Sequence, residues 1–278
     1  MVDSVIALLY SKPSSNVAVT GDVTGNVELS LVTGTENPYY PLARLIDLDP
    51  ATSFKTNTSG DCRVQWRYFN GAQRVDAMFI PMYNMPAGTV IRIEGNSAAS
   101  WGSPAFSTTY TVPAYEGGIP RGIFVNVTEA SGYSPSGYTY WSLYIPNTGS
   151  PIALGEVHLS SLLEEARHLE DSPEEIRAQL VIEHEREDGG RFVYQRGIQA
   201  YVFSGSVEVP LTELADYRAL WADTYDGYYP FFVVVHVWED QPEGFMMLWK
   251  GNFQTRHVLG DRYTLTIQWI TMSRGRVP

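Results

Sequence analysis

Short apolar or alternating runs, separated by turn signals, fill the first 160 residues of the chain. Runs of this length with a period of two predict β-strands, and the Gly, Pro and Asn residues between them predict hairpin turns. The runs are Val27–Val32, Cys62–Tyr68, Val75–Pro81, Val90–Glu94, Gly122–Val127, Tyr138–Ile145 and Leu154–Leu159. No helix of ordinary length is predicted among them. This part of the chain therefore predicts a β-sandwich with hairpin and Greek-key connections.

The second half combines strand patterns with one helical stripe. Residues 177–185, 198–203, 229–238, 245–254 and 263–269 have strand patterns, whereas Leu211, Leu214, Tyr217, Leu220 and Trp221 recur at helical intervals. We expect a helix over residues 211–222, ended before Gly227, inside a small β-barrel-like domain. The predicted fold class of the whole chain is all-β.

Composition changes near residue 160. Fifteen of the 24 glycines lie in residues 1–160, while the net charge is −4 before residue 161 and −8 after it. Ser161 and Glu164 have the spacing of a capping box, which predicts the start of a helix. We therefore expect a first domain over residues 1–160, a linker helix over 161–174 and a second domain over 175–278.

Charge and cysteine content exclude several classes of function. The net charge is −12, and no cluster of Lys or Arg is large enough to hold a phosphate backbone, so we expect no nucleic-acid partner. Cys62 has no second cysteine to pair with, and a small buried residue is the preferred interpretation. No signal peptide is visible and no apolar stretch approaches ~20 residues. We expect synthesis in the cytoplasm and no membrane insertion.

Residues that could support catalysis are scattered. No Gly-x-Ser-x-Gly elbow lies near any of the five histidines, and no nucleotide-binding glycine loop is present. A glycosidase would need two facing carboxylates, for which Asp47, Glu94 and Glu116 are the candidates from different loops. We expect a protein that is not an enzyme and that needs no cofactor for catalysis.

The loop around residue 50 carries two carboxylates and a hydroxyl. Asp47, Asp49 and Thr52 could supply oxygen ligands to calcium, which accepts irregular loops. The alternative is that Asp49-Pro50 opens a turn and Asp47 caps local backbone amides. Both interpretations fit the residues.

Aromatic residues in Gly-, Ser- and Pro-rich segments form a second candidate site. Trp101, Tyr115, Tyr133, Tyr138 and Tyr140 could stack on a sugar ring. The same residues could instead be buried against a neighbouring subunit.

The segment Tyr40-Pro-Leu-Ala-Arg-Leu-Ile-Asp-Leu-Asp-Pro-Ala-Thr-Ser-Phe54 resembles the start of discoidin-like, galactose-binding-type jelly rolls. The resemblance extends over about residues 25–160. It implies a jelly-roll sandwich that recognises a cell-surface glycan, and its acidic loop resembles the structural calcium site of that family.

The second half is similar to ring-forming phage tail proteins of the distal-tail or tail-tip kind. The similarity lies in the order of its segments. A strand is followed by the helical segment Leu214-Ala-Asp-Tyr-Arg-Ala-Leu-Trp221, a strand that begins at Pro230-Phe231, the aromatic-rich strand Trp249-Lys-Gly251-Asn-Phe253 and a last alternating strand. It implies a structural virion protein of the tail tip, baseplate or collar that contacts other tail proteins.

The aromatic content of this half exceeds what a domain of about 100 residues should bury alone. We therefore expect a symmetric homo-oligomer whose interface includes Trp221, Trp238, Trp249 and Phe253. The alternative function is a carbohydrate-binding, lectin-like protein of host adhesion.

Overall fold

The computed structural model describes residues 6–10, 27–47, 52–114, 122–164, 176–178, 181–185, 191–195, 200–224, 231–235 and 243–271. These residues form nineteen strands and one α-helix. In chain order they are β1 (Ile6–Tyr10), β2 (Val27–Thr33), β3 (Phe54–Lys55), β4 (Cys62–Tyr68), β5 (Ala77–Ile80), β6 (Val90–Asn96), β7 (Phe106–Thr111), β8 (Ile123–Asn126), β9 (Tyr140–Ile145), β10 (Ala153–Leu154), β11 (His158–Glu164), β12 (Ile176–Ala178), β13 (Val181–Glu185), β14 (Arg191–Gln195), β15 (Ala200–Pro210), α1 (Leu211–Asp223), β16 (Phe231–Val235), β17 (Glu243–Trp249), β18 (Gln254–Leu259) and β19 (Arg262–Thr271).

The first half contains an antiparallel five-stranded sheet in the order β2-β4-β9-β6-β7. Its strands alternate, so that one set of side chains is apolar and faces the core, as in Cys62, Val64, Trp66 and Tyr68 of β4. Trp141 on β9 is fully buried in the same core. This alternation leaves the opposite face of the sheet to polar side chains.

A second sheet covers the other side of this core. Strands β11, β5 and β8 are neighbours in it, and Met78, Ile123 and Leu159 contribute to the shared core. Five antiparallel strands packed on three make a β-sandwich of the jelly-roll type. Strand β1 pairs with β11 on one side and with β16 on the other, so the sheet continues into the second half.

The second half is built on strands β15, β19, β17 and β16, with α1 packed against β15 and β19. Leu214, Tyr217 and Leu220 of α1 are buried, because their spacing of three residues places them on one side of the helix. They join a core that includes Phe231, Met247, Leu265 and Trp269. Strand β18 pairs with β19 alone among the described strands.

The predicted all-β fold, with one helix in its second half, is confirmed. The helix expected at residues 211–222 is α1. The linker helix expected over residues 161–174 is wrong at its start, because Ser161–Glu164 belong to β11 and pair with β1. Pairing of these four residues with β1 outweighs the local capping preference. Residues 165–174 lie outside the described part. No helix in that part has the length and hydropathy needed to span a membrane.

Candidate functional site

The outer face of the five-stranded sheet, opposite its core, carries three rows of polar and aromatic side chains. Strand register sets the rows, because directly paired residues of neighbouring strands point to the same face. From one end of the sheet to the other, the rows are Glu28, Arg67, Tyr140 and Asn96; then Ser30, Gln65, Ser142 and Glu94; then Arg63, Tyr144 and Arg92.

A buried ion pair lies at the centre of this outer face. Glu94 is 0% exposed and Arg63 only 7%, although both point away from the core. Arg63 Nη1 donates to Glu94 Oε2 and to Ser142 Oγ at 2.9 Å, and the Ser142 hydroxyl also donates to Glu94 Oε2 at 3.1 Å. The pair therefore links the three central strands of the sheet.

The second oxygen of Glu94 is less well satisfied. Glu94 Oε1 is buried and accepts no hydrogen bond from the described residues. Arg92 Nη1 lies 3.6 Å from it, and the Arg92 side chain is 41% exposed. A buried carboxylate oxygen without a donor is costly, so this atom is a ready acceptor beside a guanidinium that already reaches solvent.

Tyr144 lies between the two guanidiniums of its row. Its ring centroid is 4.2 Å from Arg92 Cζ and 4.8 Å from Arg63 Cζ. Its hydroxyl donates to Asp61 Oδ2 at 2.7 Å. That hydrogen bond, the backbone N–H of Asn147 and the charge of Arg92 lower the pKa of Asp61. The ionised Asp61 carboxylate therefore lies at the outer end of this row.

Trp101 lies on top of the central row. Asn96 accepts the N–H of Ser97 and donates to Ser100 O at 2.6 Å, which closes the loop after β6 and turns Trp101 back over the sheet. The Trp101 indole Nε1 donates to Gln65 Oε1 at 3.0 Å, and Arg63 Cζ lies 5.3 Å from its ring centroid. The indole thus packs against the buried guanidinium, and the Trp101 side chain stays partly exposed.

The row at the opposite end repeats the combination of arginine and aromatic rings. Arg67 Cζ lies 4.8 Å from the ring centroid of Phe69 and 5.9 Å from that of Tyr140. Phe69 is 42% exposed, and the Arg67 side chain is 45% exposed with Glu28 at 3.5 Å. Aromatic rings therefore line the outer face from Phe69 and Tyr140 through Trp101 to Tyr144; we call this series the aromatic strip.

Charges on the outer face balance within the described residues. Arg63, Arg67 and Arg92 are matched by Glu28, Glu94 and Asp61, whereas the whole chain carries −12. A locally neutral face rich in donors, acceptors and aromatic rings suits an uncharged polyhydroxylated ligand better than a polyanion.

The predicted glycan residues are only partly brought together. Trp101 belongs to the aromatic strip, whereas Tyr138 packs into the core against Phe106 and Trp141. Tyr133 lies in the loop after β8, where its hydroxyl contacts Asp76 and accepts from Arg74 Nε at 3.0 Å. Tyr115, like Glu116, lies outside the described residues.

Tyr140 is predicted from the sequence, whereas Arg92 on β6 and the polar residues of β4 and β9 are not. The spacing Arg63-x-Gln65-x-Arg67 on β4 and Ser142-x-Tyr144 on β9 is the available signal, since alternate residues share one face.

The proposed calcium loop is described only in part. Thr52 Oγ1 donates to Asp47 Oδ2 at 2.7 Å, and Asp49 lies outside the described residues. No group of three metal-ligating side chains occurs in the described part of the chain, so the described donors do not by themselves make a calcium site. Calcium binding stays a prediction; a calcium-dependent rise in melting temperature that Asp47→Ala abolishes would establish it.

The predicted interface aromatics pack against one another within the chain. The ring of Trp221 lies 5.3 Å from that of Trp249 and 5.9 Å from that of Phe253, and Trp249 also contacts Phe231 and Trp269. Trp249 is 8% exposed, which places it in the core of the second half. Trp238 lies outside the described residues, and the oligomer interface itself stays a prediction.

Two further titratable groups are buried in the sandwich. Burial raises the pKa of the Cys62 thiol to about 12, which agrees with a core residue rather than a nucleophile. His158 lies 3.1 Å from Glu156, and burial lowers its pKa to about 3, so the imidazole is neutral at ordinary pH.

This chain is similar to several solved structures, but it matches no protein-family model and no curated protein sequence. Among solved structures, a GH29 fucosidase of Ruminococcus gnavus in complex with fucose is 10% identical over 50% of this chain, with a TM-score of 0.37. The matched region spans only 26% of that fucosidase.

Two other matches are single domains. A family 32 carbohydrate-binding module of NanJ from Clostridium perfringens, in complex with galactose, is 14% identical, covers 50% of this chain and 94% of its own, and has a TM-score of 0.35. XRCC1 bound to the DNA polymerase β catalytic domain is also 14% identical, with coverages of 49% and 97% and a TM-score of 0.37. Carbohydrate-binding domains are thus among the structural neighbours. The jelly-roll assignment rests on the strand order of this chain.

Proposed function

We propose that the outer face of the five-stranded sheet binds carbohydrate without acting on it. The observation that carries the proposal is the partly exposed Trp101, which donates to Gln65 and lies against the buried Arg63–Glu94 pair. Sugar rings present apolar C–H faces and hydroxyl edges. They suit an aromatic platform that is surrounded by fixed donors and acceptors.

The pairing of donors with acceptors supports this function further. Arg92 offers exposed N–H groups beside the under-satisfied Glu94 Oε1, so neighbouring hydroxyls of one sugar could donate to the carboxylate and accept from the guanidinium after a small movement of the Arg92 side chain. Binding would convert a buried, poorly satisfied oxygen into a hydrogen-bonded one.

A glycan array probed with the purified chain tests the proposal, with Trp101→Ala as the variant. Tyr39→Ala is the matched control, because Tyr39 is an aromatic residue 80% exposed on the turn after β2 and is not part of the aromatic strip. Binding to a defined set of glycans should be lost in Trp101→Ala and retained in Tyr39→Ala. An array without a reproducible signal, or equal binding by both variants, would refute a site on this face.

A second candidate function is that of a structural phage tail protein in which copies of this chain associate through the second half. Every residue of β18 is exposed, Val258 and Leu259 are 49% and 78% exposed, and the outer edge of β18 has no partner strand among those described. An open edge with apolar residues at its tip favours strand pairing with another copy. The similarity of the segment order to ring-forming tail proteins supports a second copy as the occupant.

Light scattering of the whole chain tests this assembly. Copies should associate into a defined oligomer, and Val258→Lys together with Leu259→Lys should shift the chain to monomer. The same two-lysine change at Thr109 and Thr111, on the edge strand β7 of the sandwich, is the control. A wild-type chain that is monomeric at all concentrations would contradict a ring-forming role.

A further inference from the structure

The aromatic strip repeats along the direction of β9. Tyr140 and Tyr144 lie on the same face of β9, four residues apart, which corresponds to about 13 Å along the strand. Trp101 lies over the row between them, because it bonds to Gln65, which pairs with Ser142. Three aromatic positions, two on β9 and one in the loop after β6, therefore follow one another along the direction of β9, over a length that exceeds one sugar ring.

Each end of the strip also carries its own exposed hydrogen-bond donor. Arg67 accompanies Phe69 and Tyr140 at one end, and Arg92 accompanies Tyr144 at the other, with side chains 45% and 41% exposed. The central position has Trp101 and Gln65. An aromatic ring with an adjacent polar group thus occurs three times, so each of several sugar units could find a ring and a hydrogen-bond partner.

We infer that the ligand is an uncharged, extended oligosaccharide that lies along β9 and occupies several consecutive positions, rather than one terminal sugar held in a pocket. This inference rests on the proposed carbohydrate function. The charge balance of the face argues for a neutral chain, and the series of rings along β9 argues for an extended one, such as a β-1,4-linked glucan or mannan, whose equatorial linkages give a ribbon-like chain. The two ends of the strip are the outer subsites, and Trp101 is the central one.

The dependence of affinity on chain length tests the inference. Calorimetry on the whole protein would use β-1,4-linked oligomers of glucose, galactose and mannose, each from one to six units. In at least one series the affinity should rise at least about tenfold from the monosaccharide to the tri- or tetrasaccharide and then level off, since each added contact of this kind changes affinity by about a factor of ten. The gain should change little with salt, because the ligand is uncharged.

Variants locate the subsites. Tyr140→Ala and Phe69→Ala, at one end of the strip, should each reduce the ratio of tetrasaccharide to monosaccharide affinity, whereas Tyr39→Ala should leave it at the wild-type value. Thermal melting of each variant confirms that the chain is folded. An unchanged ratio in both strip variants would overturn the assignment of outer subsites.

The possible results distinguish failure of the extended site from failure of carbohydrate binding itself. A monosaccharide that binds as tightly as its longer oligomers would overturn the extended site but leave carbohydrate binding in place. So would an array that responds only to terminal sugars while all three oligomer series fail. An array without any signal would remove the proposed function together with the inference.

Discussion

Arg63 donates a hydrogen bond to Glu94 across the sheet, and both side chains are buried although they lie on the face opposite the core. An ion pair in such a position is costly to form, because two charges lose their hydration, and removal of one partner leaves the other unpaired. The Arg63–Glu94 pair lies at the centre of the contacts on the outer face. Trp101 and Tyr144 cover the pair, and Arg92 shares its carboxylate.

Glu94→Ala should therefore destabilise the protein by about 3–5 kcal/mol, because the guanidinium of Arg63 stays buried without its carboxylate. Glu28→Ala is the matched control: it removes the carboxylate from the exposed pair with Arg67, which is worth about 0–1 kcal/mol. Urea unfolding of the two variants measures the difference. Equal losses of stability would show that the buried pair has no special role.

The double variant Arg63→Met with Glu94→Leu separates packing from charge. It removes both charges and leaves side chains of similar size, so it should recover most of the stability lost in Glu94→Ala. A double variant as unstable as Glu94→Ala would indicate that the hydrogen bonds of the pair, including those of Ser142, are themselves required.

His158 should make stability depend on pH. Burial lowers its pKa from 6.5 to about 3, so the unfolded chain binds a proton between these values that the folded chain does not. The contribution of His158 is fully present above about pH 6.5 and is lost progressively as the pH falls toward 3. His158→Gln should flatten this part of the stability profile.

Urea midpoints between pH 4 and 7 test this directly, with His257→Gln as a control for loss of a histidine at the exposed tip of the β18–β19 hairpin. The quantity compared is the slope of the urea midpoint against pH. The midpoint at a single pH would not suffice, because the introduced glutamine also alters packing next to Glu156. Identical slopes in wild type and His158→Gln would contradict a buried, neutral imidazole.

Gly137 fixes the loop that leads into β9. Its φ is +72°, and a Cβ there would overlap the carbonyl oxygen of Gln73, which accepts hydrogen bonds from Tyr138 N and from the Trp141 indole. Gly137→Ala should cost several kcal/mol. Gly132→Ala, also at positive φ but with its nearest contact at 3.8 Å, should cost only about 1–2 kcal/mol for the backbone conformation.

Chemical denaturation of the two alanine variants compares them under the same conditions. The shared strain of positive φ cancels in the difference, which leaves the clash with Gln73. A Gly137→Ala variant as stable as Gly132→Ala would mean that the loop can move away from Gln73 without loss.

Much of the fold can be predicted from local pattern, and the errors have physical causes. Strand β4 has the predicted bounds, because Cys62, Val64, Trp66 and Tyr68 alternate strictly with polar residues. Strands β7 and β18 are not predicted, since β7 is largely Ser and Thr and β18 is exposed throughout, so neither shows alternation. The helix expected from Ser161 fails because strand pairing across the chain overrides a local capping signal.

The candidate site is much harder to predict. Trp101 is expected from its Gly- and Ser-rich loop, but Arg63, Arg92 and Tyr144 come from three strands that are distant in sequence. They meet only because the register pairs Arg63 with Tyr144 and Tyr144 with Arg92. A shift of one residue in either pairing would send these side chains to the core, and nothing in a single strand specifies its partner's register.

The most direct measurement of the central claim is the response of individual tryptophan indoles to ligand. In nitrogen–proton NMR spectra, the Nε1–H signal of Trp101, assigned through Trp101→Phe, should shift progressively as an array-positive glycan is added, because this indole lies on the outer face and donates to Gln65. The Nε1–H signal of Trp141, which donates to Gln73 O from within the core, should stay in place. Movement of Trp141 without Trp101, or saturation of the protein by glycan with neither signal shifted, would contradict binding on this face.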